Sequence, residues 1–385
     1  MEQIIRARRL LCEEGWRDEQ QLHLVDGSIT AIQPIAPGEM RRDVDLLCPA
    51  YIDTHVHGGA GVDVMDDDPS ALLTLAQHKA REGVGAWLAT TVTAPLPEII
   101  EALRRIAAYR HHSSGAQLLG SYLEGPWFTA ENRGAHLPEW FRELDISEID
   151  QLIEVAQGTL RMVALAPEKP AALAAIRHLK ARGIRVMLGH SAASYDQTLA
   201  ALDAGADGLV HCFNGMRGLH HREPGMTGAG LSDARAWLEL IADGHHVHPA
   251  VLRLTCQCAQ QRIILITDAM RAAGMPDGLY SICGHDVEMR AGVVRTAQGG
   301  LAGSTLALDA AVRNMVAHGG VSSQQAIEMA SLHPARLLGI AHQLGTLAPG
   351  KQANLLALND QLYPQQLWVK GVAVMPTEPI TAHFI

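Results

Sequence analysis

The part of the sequence that most limits the fold begins near residue 48, where apolar runs alternate with longer amphipathic segments. The apolar runs are continuous, as is typical of parallel strands that are buried on both faces. Eight such runs over about 220 residues, each followed by room for a helix, predict an α/β fold, a (β/α)8 TIM barrel rather than an open sheet. The predicted strands are Leu47–His55, Val84–Val92, Gln117–Glu124, Arg161–Ala166, Arg185–His190, Gly208–His211, Trp237–Ala242 and Arg262–Asp268.

The amphipathic segments predict helices, because their apolar residues recur at the helical period. Most lie between the predicted strands, and two follow the last strand. Before these last two helices, the glycine-rich stretch 274–303 predicts a hairpin over the barrel mouth. The clearest predicted helices are Pro69–Glu82, Leu96–Arg110, Ile146–Gln157, Ala171–Arg182, Tyr195–Ala204, Leu306–Ala317 and Ser323–Leu338.

Both ends of the sequence predict short strands. Residues 3–47 contain alternating runs around Asp26-Gly27, a dipeptide that is typical of two-residue hairpin turns. The stretch from residue 344 returns to the same pattern, and the two ends most simply pack together. We therefore predict a small β-sandwich domain formed by residues 1–47 and 344–385, and a barrel domain formed by residues 48–343.

The charge of the chain narrows the class of partner. A formal net charge of −10 does not favour binding to nucleic acid or to an anionic membrane surface. The first residues show no apolar leader, and no stretch has the length of a transmembrane span, so no membrane association is expected. The six cysteines are scattered, which is expected of free thiols in the reducing cytoplasm.

The first predicted barrel strand ends in His55 and His57, followed by two glycines. Residues i and i+2 of a strand point to the same face, so both imidazoles can project together from the strand end. The glycines allow the chain to turn sharply there. This arrangement indicates a metal site, although two polar residues at a strand end are the simpler alternative.

Four further strand ends carry residues that can bind a metal ion or transfer a proton: Glu124, His190, His211 and Asp268. Each alone has an ordinary explanation, since a strand-end histidine is often a rim group and a strand-end carboxylate is often a helix cap. The carboxyl ends of barrel strands are, however, where enzymes of this fold place their chemistry. Five strand ends that all supply His, Glu or Asp therefore predict a metal-dependent active site.

The motifs at these positions resemble the amidohydrolase superfamily, and within it the N-acetylhexosamine-6-phosphate deacetylases. The resemblance covers essentially the whole chain, and its wording is closest to the branch that acts on N-acetylgalactosamine 6-phosphate rather than N-acetylglucosamine 6-phosphate. It implies a TIM barrel of the metal-dependent hydrolase type. The motifs are HVHGG, LEGPW, GHS, HCFNGM, HHREPG, IADGHH and ITDAM, in this order.

The resemblance implies that Glu124, His190 and His211 bind a divalent metal ion. His55 and His57 match the ligands of a second ion, which some members of the family lack, so one and two ions per subunit both remain open. Zinc is the first expectation for nitrogen and oxygen ligands, with iron, manganese and cobalt as alternatives.

The resemblance also implies catalytic and substrate-binding roles. Asp268 matches the general base that becomes the general acid, and His136 matches the residue that polarises the acetamide carbonyl. Arg222 and His246 match phosphate contacts, one of which comes from a neighbouring subunit in some relatives; this implies a homodimer or homotetramer. An exposed loop histidine and a surface arginine are the simpler readings of His136 and Arg222. The other implied ligand contacts are Ala135, Asn214, Gly215, Ala302, Gly303 and Ser304.

The predicted function is hydrolysis of the acetamide of an N-acetylhexosamine 6-phosphate in amino-sugar catabolism. Two alternatives stay open at this point. Another amidohydrolase, such as a deaminase or a cyclic amidase, would use the same barrel but would not need the phosphate contacts. A non-catalytic scaffold would have no reason to keep the complete set of candidate ligands.

Overall fold

The amino-terminal segment forms an antiparallel ribbon. The computed structural model describes residues 2–39, 41–112 and 114–374. Strands β1 (Glu2–Cys12), β2 (Gly15–Val25) and β3 (Ser28–Pro34) pair in sequence order. The predicted turn joins β2 to β3, with φ +47° at Asp26 and +79° at Gly27, as a type I′ turn requires.

The next two strands correct one prediction. The segment Leu47–His55 is not one strand, because β4 (Val44–Pro49) pairs with β1, whereas β5 (Tyr51–Val56) begins the barrel. The Ala50 amide donates to the Asn354 carbonyl at 3.0 Å, and the next amide donates to Gly83 in the barrel, also at 3.0 Å. Pro49 has no amide hydrogen with which to extend the first ladder, so the chain changes sheets here.

The barrel itself is confirmed. In the described part of the chain, eight parallel strands pair in the order of the sequence, with the short pair β6 (Gly58–Gly59) and β7 (Val62–Asp63) inserted after β5. Between β5 and the last strand, the barrel is joined by the bridge Val56–Ala269. The other barrel strands are β8 (Val84–Thr91), β9 (Gln117–Glu124), β10 (Leu160–Leu165), β11 (Arg185–Leu188), β12 (Gly208–Leu209), β13 (Trp237–Leu240) and β14 (Ile263–Leu265).

Helices surround the barrel and bury their apolar faces against it. The predicted helix Ser323–Leu338 is two helices, since Pro334 cannot donate the hydrogen bond that would continue the first one. A π-helix, Met315–Gly319, extends α8, and no helix of the described residues is long and apolar enough to cross a membrane. The helices are α1 (Ala71–Arg81), α2 (Leu96–Tyr109), α3 (Ile146–Val155), α4 (Ala172–Ala181), α5 (Tyr195–Ala204), α6 (Gly225–Ser232), α7 (Pro249–Ala259), α8 (Leu308–Asn314), α9 (Ser323–Ala330) and α10 (Leu332–Leu337).

The glycine-rich excursion forms a small antiparallel sheet rather than a simple hairpin. Its strands in the described ranges are β15 (Gly278–Ile282), β16 (His285–Arg290) and β17 (Val293–Thr296). Apolar side chains of this sheet pack against Met270 and Ala302, which follow β14. The sheet is therefore anchored to the loops beyond the carboxyl end of the last barrel strand.

The carboxyl-terminal strands join the amino-terminal ones. β18 (Leu355–Leu358), β19 (Pro364–Val369) and β20 (Val372–Ala373) continue the sheet, whose order among the described strands is β20-β19-β18-β4-β1-β2-β3. This sheet has its own apolar core, which includes Leu10 and Leu355. The domain boundaries at residues 47 and 344 stay a prediction, and residues 375–385 lie outside the described residues.

Candidate active site

The carboxyl ends of five barrel strands bring together the five predicted metal ligands and the predicted general base Asp268. The described residues contain two groups of potential ligands. Within each group, the ligand atoms all lie within 4.8 Å of one another, and every residue is buried. The first group comes from β9, β11 and β12, and the second from β5 and β14. The groups are Glu124, His190 and His211, and His55, His57 and Asp268.

Three of these residues lie just beyond the strand ends, with left-handed backbone conformations. The φ angles are +45° at His190, +28° at His211 and +49° at Asp268. Such a conformation costs a non-glycine residue about 1–3 kcal/mol and is concentrated at functional sites. The strands predicted to run as far as these residues therefore end earlier, at Leu188, Leu209 and Leu265.

Four histidines present the same nitrogen, Nε2, to the centre of the site. In each case Nδ1 faces an oxygen that can only accept, so Nδ1 carries the hydrogen and the Nε2 lone pair of the neutral ring is free for a metal ion. The rings are therefore oriented before an ion binds. The Nδ1 contacts are His57 to Thr90 O at 3.1 Å, His190 to Asn132 O at 3.1 Å, His211 to Asn214 O at 3.0 Å and His55 to Glu239 Oε2 at 3.4 Å.

Glu124 connects the two groups. Its Oε1 lies 3.1 Å from His211 Nε2 and 3.4 Å from His190 Nε2. The other oxygen, Oε2, lies 3.3 Å from His57 Nε2, and Oε1 lies 3.4 Å from His55 Nε2. One carboxylate thus reaches both groups, as a ligand shared by two ions would.

The titration behaviour of the site follows from buried histidines facing buried carboxylates. Burial alone would raise the pKa of Glu124, but His55 and three further histidines hold it well below its ordinary range. Burial would lower the pKa of His57, but hydrogen bonds to Asp268 and Glu124 raise it to about 9. For His190, burial lowers the pKa to about 4, with His136 adding to the effect. Glu124 is therefore ionised at neutral pH.

The donor set fits divalent metal ions. It consists of imidazole nitrogens and carboxylate oxygens without a thiolate, which suits zinc and other first-row metals. Each group supplies fewer than four ligands, so positions remain for water or substrate, as in catalytic rather than structural sites.

His136 lies at the same centre, on the loop after β9. Its Nε2 is 3.2 Å from His190 Nε2 and 3.5 Å from Glu124 Oε2. Its Nδ1 is 4.0 Å from the sulfur of Cys283, which follows β15. His136 is buried, which argues against the simpler alternative of an exposed loop histidine.

Several predicted substrate contacts surround the metal ligands. The Ser304 amide donates to the Asp268 carbonyl at 2.8 Å, which holds the loop Ala302–Ser304 beside β14. Gly215 accepts from the Ser191 amide at 3.0 Å. A Cβ atom on this glycine would lie 2.8 Å from His190 Nδ1, so a larger residue would displace the ligand.

A cleft of about 630 Å³ opens beside this loop and contains His246, Gly303 and Ser304. The Nδ1 of His246 lies 2.6 Å from Asp243 Oδ2. Arg222 is not among the described residues that line this cleft: it is exposed, and its Nη1 lies 2.8 Å from His221 Nε2. The chain itself therefore does not bring the two predicted phosphate contacts into one cleft.

Sequence reasoning missed three carboxylates that support the site. Glu239 faces His55, Asp243 holds His246, and Glu168 accepts from the Ser191 hydroxyl at 2.6 Å and from the Ala192 amide at 2.7 Å. Glu239 could have been found from the sequence, because it interrupts the apolar run Trp237–Leu240. In the structure its side chain is fully buried.

Fold and site together define a metal-dependent hydrolase, and the chain belongs to the amidohydrolase family, whose model matches residues 46–374. It is 68% identical over 372 residues to the N-acetylgalactosamine-6-phosphate deacetylase of Escherichia coli O157:H7, covering 96% of this chain and 99% of that protein. It is 50% identical over 374 residues to the N-acetylglucosamine-6-phosphate deacetylase of Vibrio furnissii, covering 95% and 93%.

A solved structure gives the same result for the fold. The N-acetyl-D-glucosamine-6-phosphate deacetylase of Mycobacterium smegmatis superimposes with a TM-score of 0.90 at 34% identity, covering 97% of this chain and 100% of that chain. The predicted family membership, the predicted barrel and the hydrolytic class of enzyme are thereby confirmed.

Proposed function

We propose that this enzyme hydrolyses the acetamide of an N-acetylhexosamine 6-phosphate, releasing acetate and the amino sugar 6-phosphate. The observation that carries the proposal is the buried pair of ligand groups connected by Glu124, with Asp268 in one group and His136 beside the other. The identity of 68% to a galactosamine-type relative favours N-acetylgalactosamine 6-phosphate as the first substrate to test.

Two divalent ions fit the ligand groups, and we infer zinc for both because the donors are imidazoles and carboxylates. Glu124, His190 and His211 would hold one ion, and His55, His57 and Asp268 would hold the other. When bound, such ions supply the Lewis acidity that activates water and polarises an amide carbonyl.

Asp268 is the residue we assign to proton transfer. In the metal-free protein, burial would raise its pKa, but His57 and His55 lower it to about 2. We assign this carboxylate to accept a proton from the attacking water. The same group would return the proton to the amine as the carbon–nitrogen bond breaks. His136, with Nε2 facing the ligand groups, would donate to the acetamide oxygen as negative charge develops on it.

We assign substrate phosphate to His246 and Arg222. His246 lines the cleft beside Ser304, whereas Arg222 is exposed on the loop before α6. Since one chain does not bring them together, we infer a homodimer or homotetramer in which a neighbouring subunit supplies the arginine. The sugar would contact Ala135, Asn214, Gly215 and the loop Ala302–Ser304. The six free cysteines support our placement of the enzyme in the cytoplasm.

Acetate release from purified protein tests the proposal. We expect turnover of N-acetylgalactosamine 6-phosphate, loss of turnover after chelation and recovery with Zn²⁺. Faster turnover of the unphosphorylated sugar, or of a nucleobase or cyclic amide, would instead favour another amidohydrolase activity. Asp268→Asn should lower kcat by about 10²–10⁴-fold, the range for a general acid–base group, while substrate binding persists.

A further inference from the structure

A buried charge network lies behind the metal ligands, outside the reacting centre. Lys79 of α1 is fully buried, which is rare for lysine unless it is paired. Its Nζ lies 2.9 Å from Asp53 Oδ2, contacts Glu82 Oε2, and lies 3.5 Å from Thr267 Oγ1. All three ammonium hydrogens therefore have acceptors.

The network continues through Glu82 to the end of the barrel sequence. Its Oε2 accepts from the Leu308 amide at 3.1 Å, where α8 begins, and its Oε1 lies 3.2 Å from His78 Nε2. Helix α1 is thus connected both to the first barrel strand, through Asp53, and to the segment that follows the last one.

Asp53 brings this network to the backbone of the metal ligands. Its Oδ1 accepts from the amides of His55 and Thr267, each at 3.3 Å, and its Oδ2 accepts from the Thr267 hydroxyl at 2.6 Å. Thr267 immediately precedes Asp268. One carboxylate therefore holds the backbone at the two points where His55 and Asp268 leave the barrel.

These contacts lie at the place where the barrel closes. β5 and β14 are the two ends of the barrel sheet as described, and no regular ladder joins them. The Asp268 amide donates to the His55 carbonyl at 2.8 Å, directly beside the Asp53 contacts. The separation of these two strands at the level of the ligands thus depends on few backbone bonds and on the buried network.

We propose that Lys79 and Asp53 are positioning residues for the ion held by His55, His57 and Asp268. This role rests on the metal-dependent function proposed above, and it places the network behind one of the two ligand groups. Glu124, His190 and His211 come from strands on other parts of the barrel and do not contact it. A substitution in the network should therefore weaken the binding of this ion more than the binding of the other ion.

Titration of the metal-free protein with Co²⁺ tests this, with melting temperature, kcat and KM measured on the same variants. For Lys79→Met we expect the ion held by His55, His57 and Asp268 to lose about 10–100-fold in affinity, the usual effect of removing an outer-shell partner. The other ion should lose less affinity, because His190 and His211 do not contact the network, although Glu124 reaches both ligand groups. kcat should fall while KM is retained, and Lys79→Arg should restore part of the loss.

Lys180→Met is the matched control. Lys180 pairs with Asp207 at 2.6 Å, before β12 at the opposite end of the barrel, so this variant should lower the melting temperature without changing either Co²⁺ affinity. Thr267→Val removes the hydroxyl link without leaving a charge unpaired, and should show the same selective loss if Lys79→Met does not fold.

Equal weakening of both ions in Lys79→Met and Thr267→Val, or no change in either ion, would overturn the proposal, as would a single ion per chain in the unaltered protein. Co²⁺ affinity does not depend on which substrate is turned over. Suppose that the unaltered protein binds two Co²⁺ ions, that the variants weaken one of them selectively, and that no deacetylation is seen. This result would contradict the proposed function and leave the positioning role supported.

Discussion

Metal binding to this site must compete with protons, and the competition has a predictable size. The pKa of His57 is raised to about 9, and that of His55 lies well above its ordinary value, although burial acts against both shifts. An ion can bind only the neutral rings. At pH 7, removing the His57 proton therefore costs about 2.7 kcal/mol, two pKa units at 1.36 kcal/mol each, or about a hundredfold in affinity.

The assay is calorimetric titration of metal-free protein with Zn²⁺ at pH 7 in buffers of different ionisation enthalpy. We expect one proton released from His57 and a second from His55. The affinity should rise about tenfold per pH unit for each proton still bound, and the His57 contribution should end near pH 9. His57→Gln should remove one proton from the count. Heats that do not depend on the buffer, or affinity that is constant between pH 7 and pH 8, would refute the reasoning.

The raised pKa of His57 also predicts how the stability of the metal-free protein changes with pH. Because the folded pKa of His57 is raised, its charged pairing with Asp268 stabilises the metal-free protein fully below about pH 6.5, the ordinary histidine pKa, and this contribution is lost as the pH rises through about 9. The melting temperature of chelated protein should therefore fall over this range, while that of zinc-loaded protein should not follow it.

Three further substitutions separate the roles of neighbouring residues. Asp243→Asn removes the charged partner of His246, so KM for the phosphorylated sugar should rise about tenfold at similar kcat. This loss lies near the lower end of ~1.5–3 kcal/mol for a hydrogen bond to a charged group. An unchanged KM would argue against a role of His246 in phosphate binding. Glu239→Gln should weaken one Zn²⁺ by about tenfold in metal-buffered titrations. Replacing both His55 and His57 with Ala should leave one ion per chain by elemental analysis, whereas loss of all metal would make this pair the primary site.

The fold was predictable because each barrel strand is an apolar run with a helix behind it. The prediction was wrong where a single backbone group decides the outcome. Pro49 ends one ladder and moves the chain into a second sheet, and Pro334 divides a helix whose apolar period is otherwise continuous. Both prolines were visible in the sequence, but periodicity does not show which hydrogen bond each one would have had to donate.

The five metal ligands and Asp268 were predictable because His, Glu and Asp are unusual at the ends of apolar strands. The left-handed backbone conformations of His190, His211 and Asp268 were not predictable, since no sequence pattern marks such a conformation. The supporting carboxylates were missed for a related reason: Asp243 and Glu168 lie in loops, where an acidic residue is ordinary until its partner is known. The sequence also does not show that the side chain of His246, rather than that of its neighbour His245, faces Asp243.

The order of the terminal sheet has a consequence for the birth of the protein on the ribosome. β4 lies between β1 and β18, so one edge of β4 has no partner until residue 355 has been made. At about 5–20 residues per second, that edge stays uncovered for on the order of tens of seconds, while the whole barrel emerges. Asp45 and Pro49 lie in this strand, and charge and proline are the residues that discourage pairing with foreign strands. Chains interrupted before β18 keep this edge uncovered and should aggregate more than complete chains, despite these two residues.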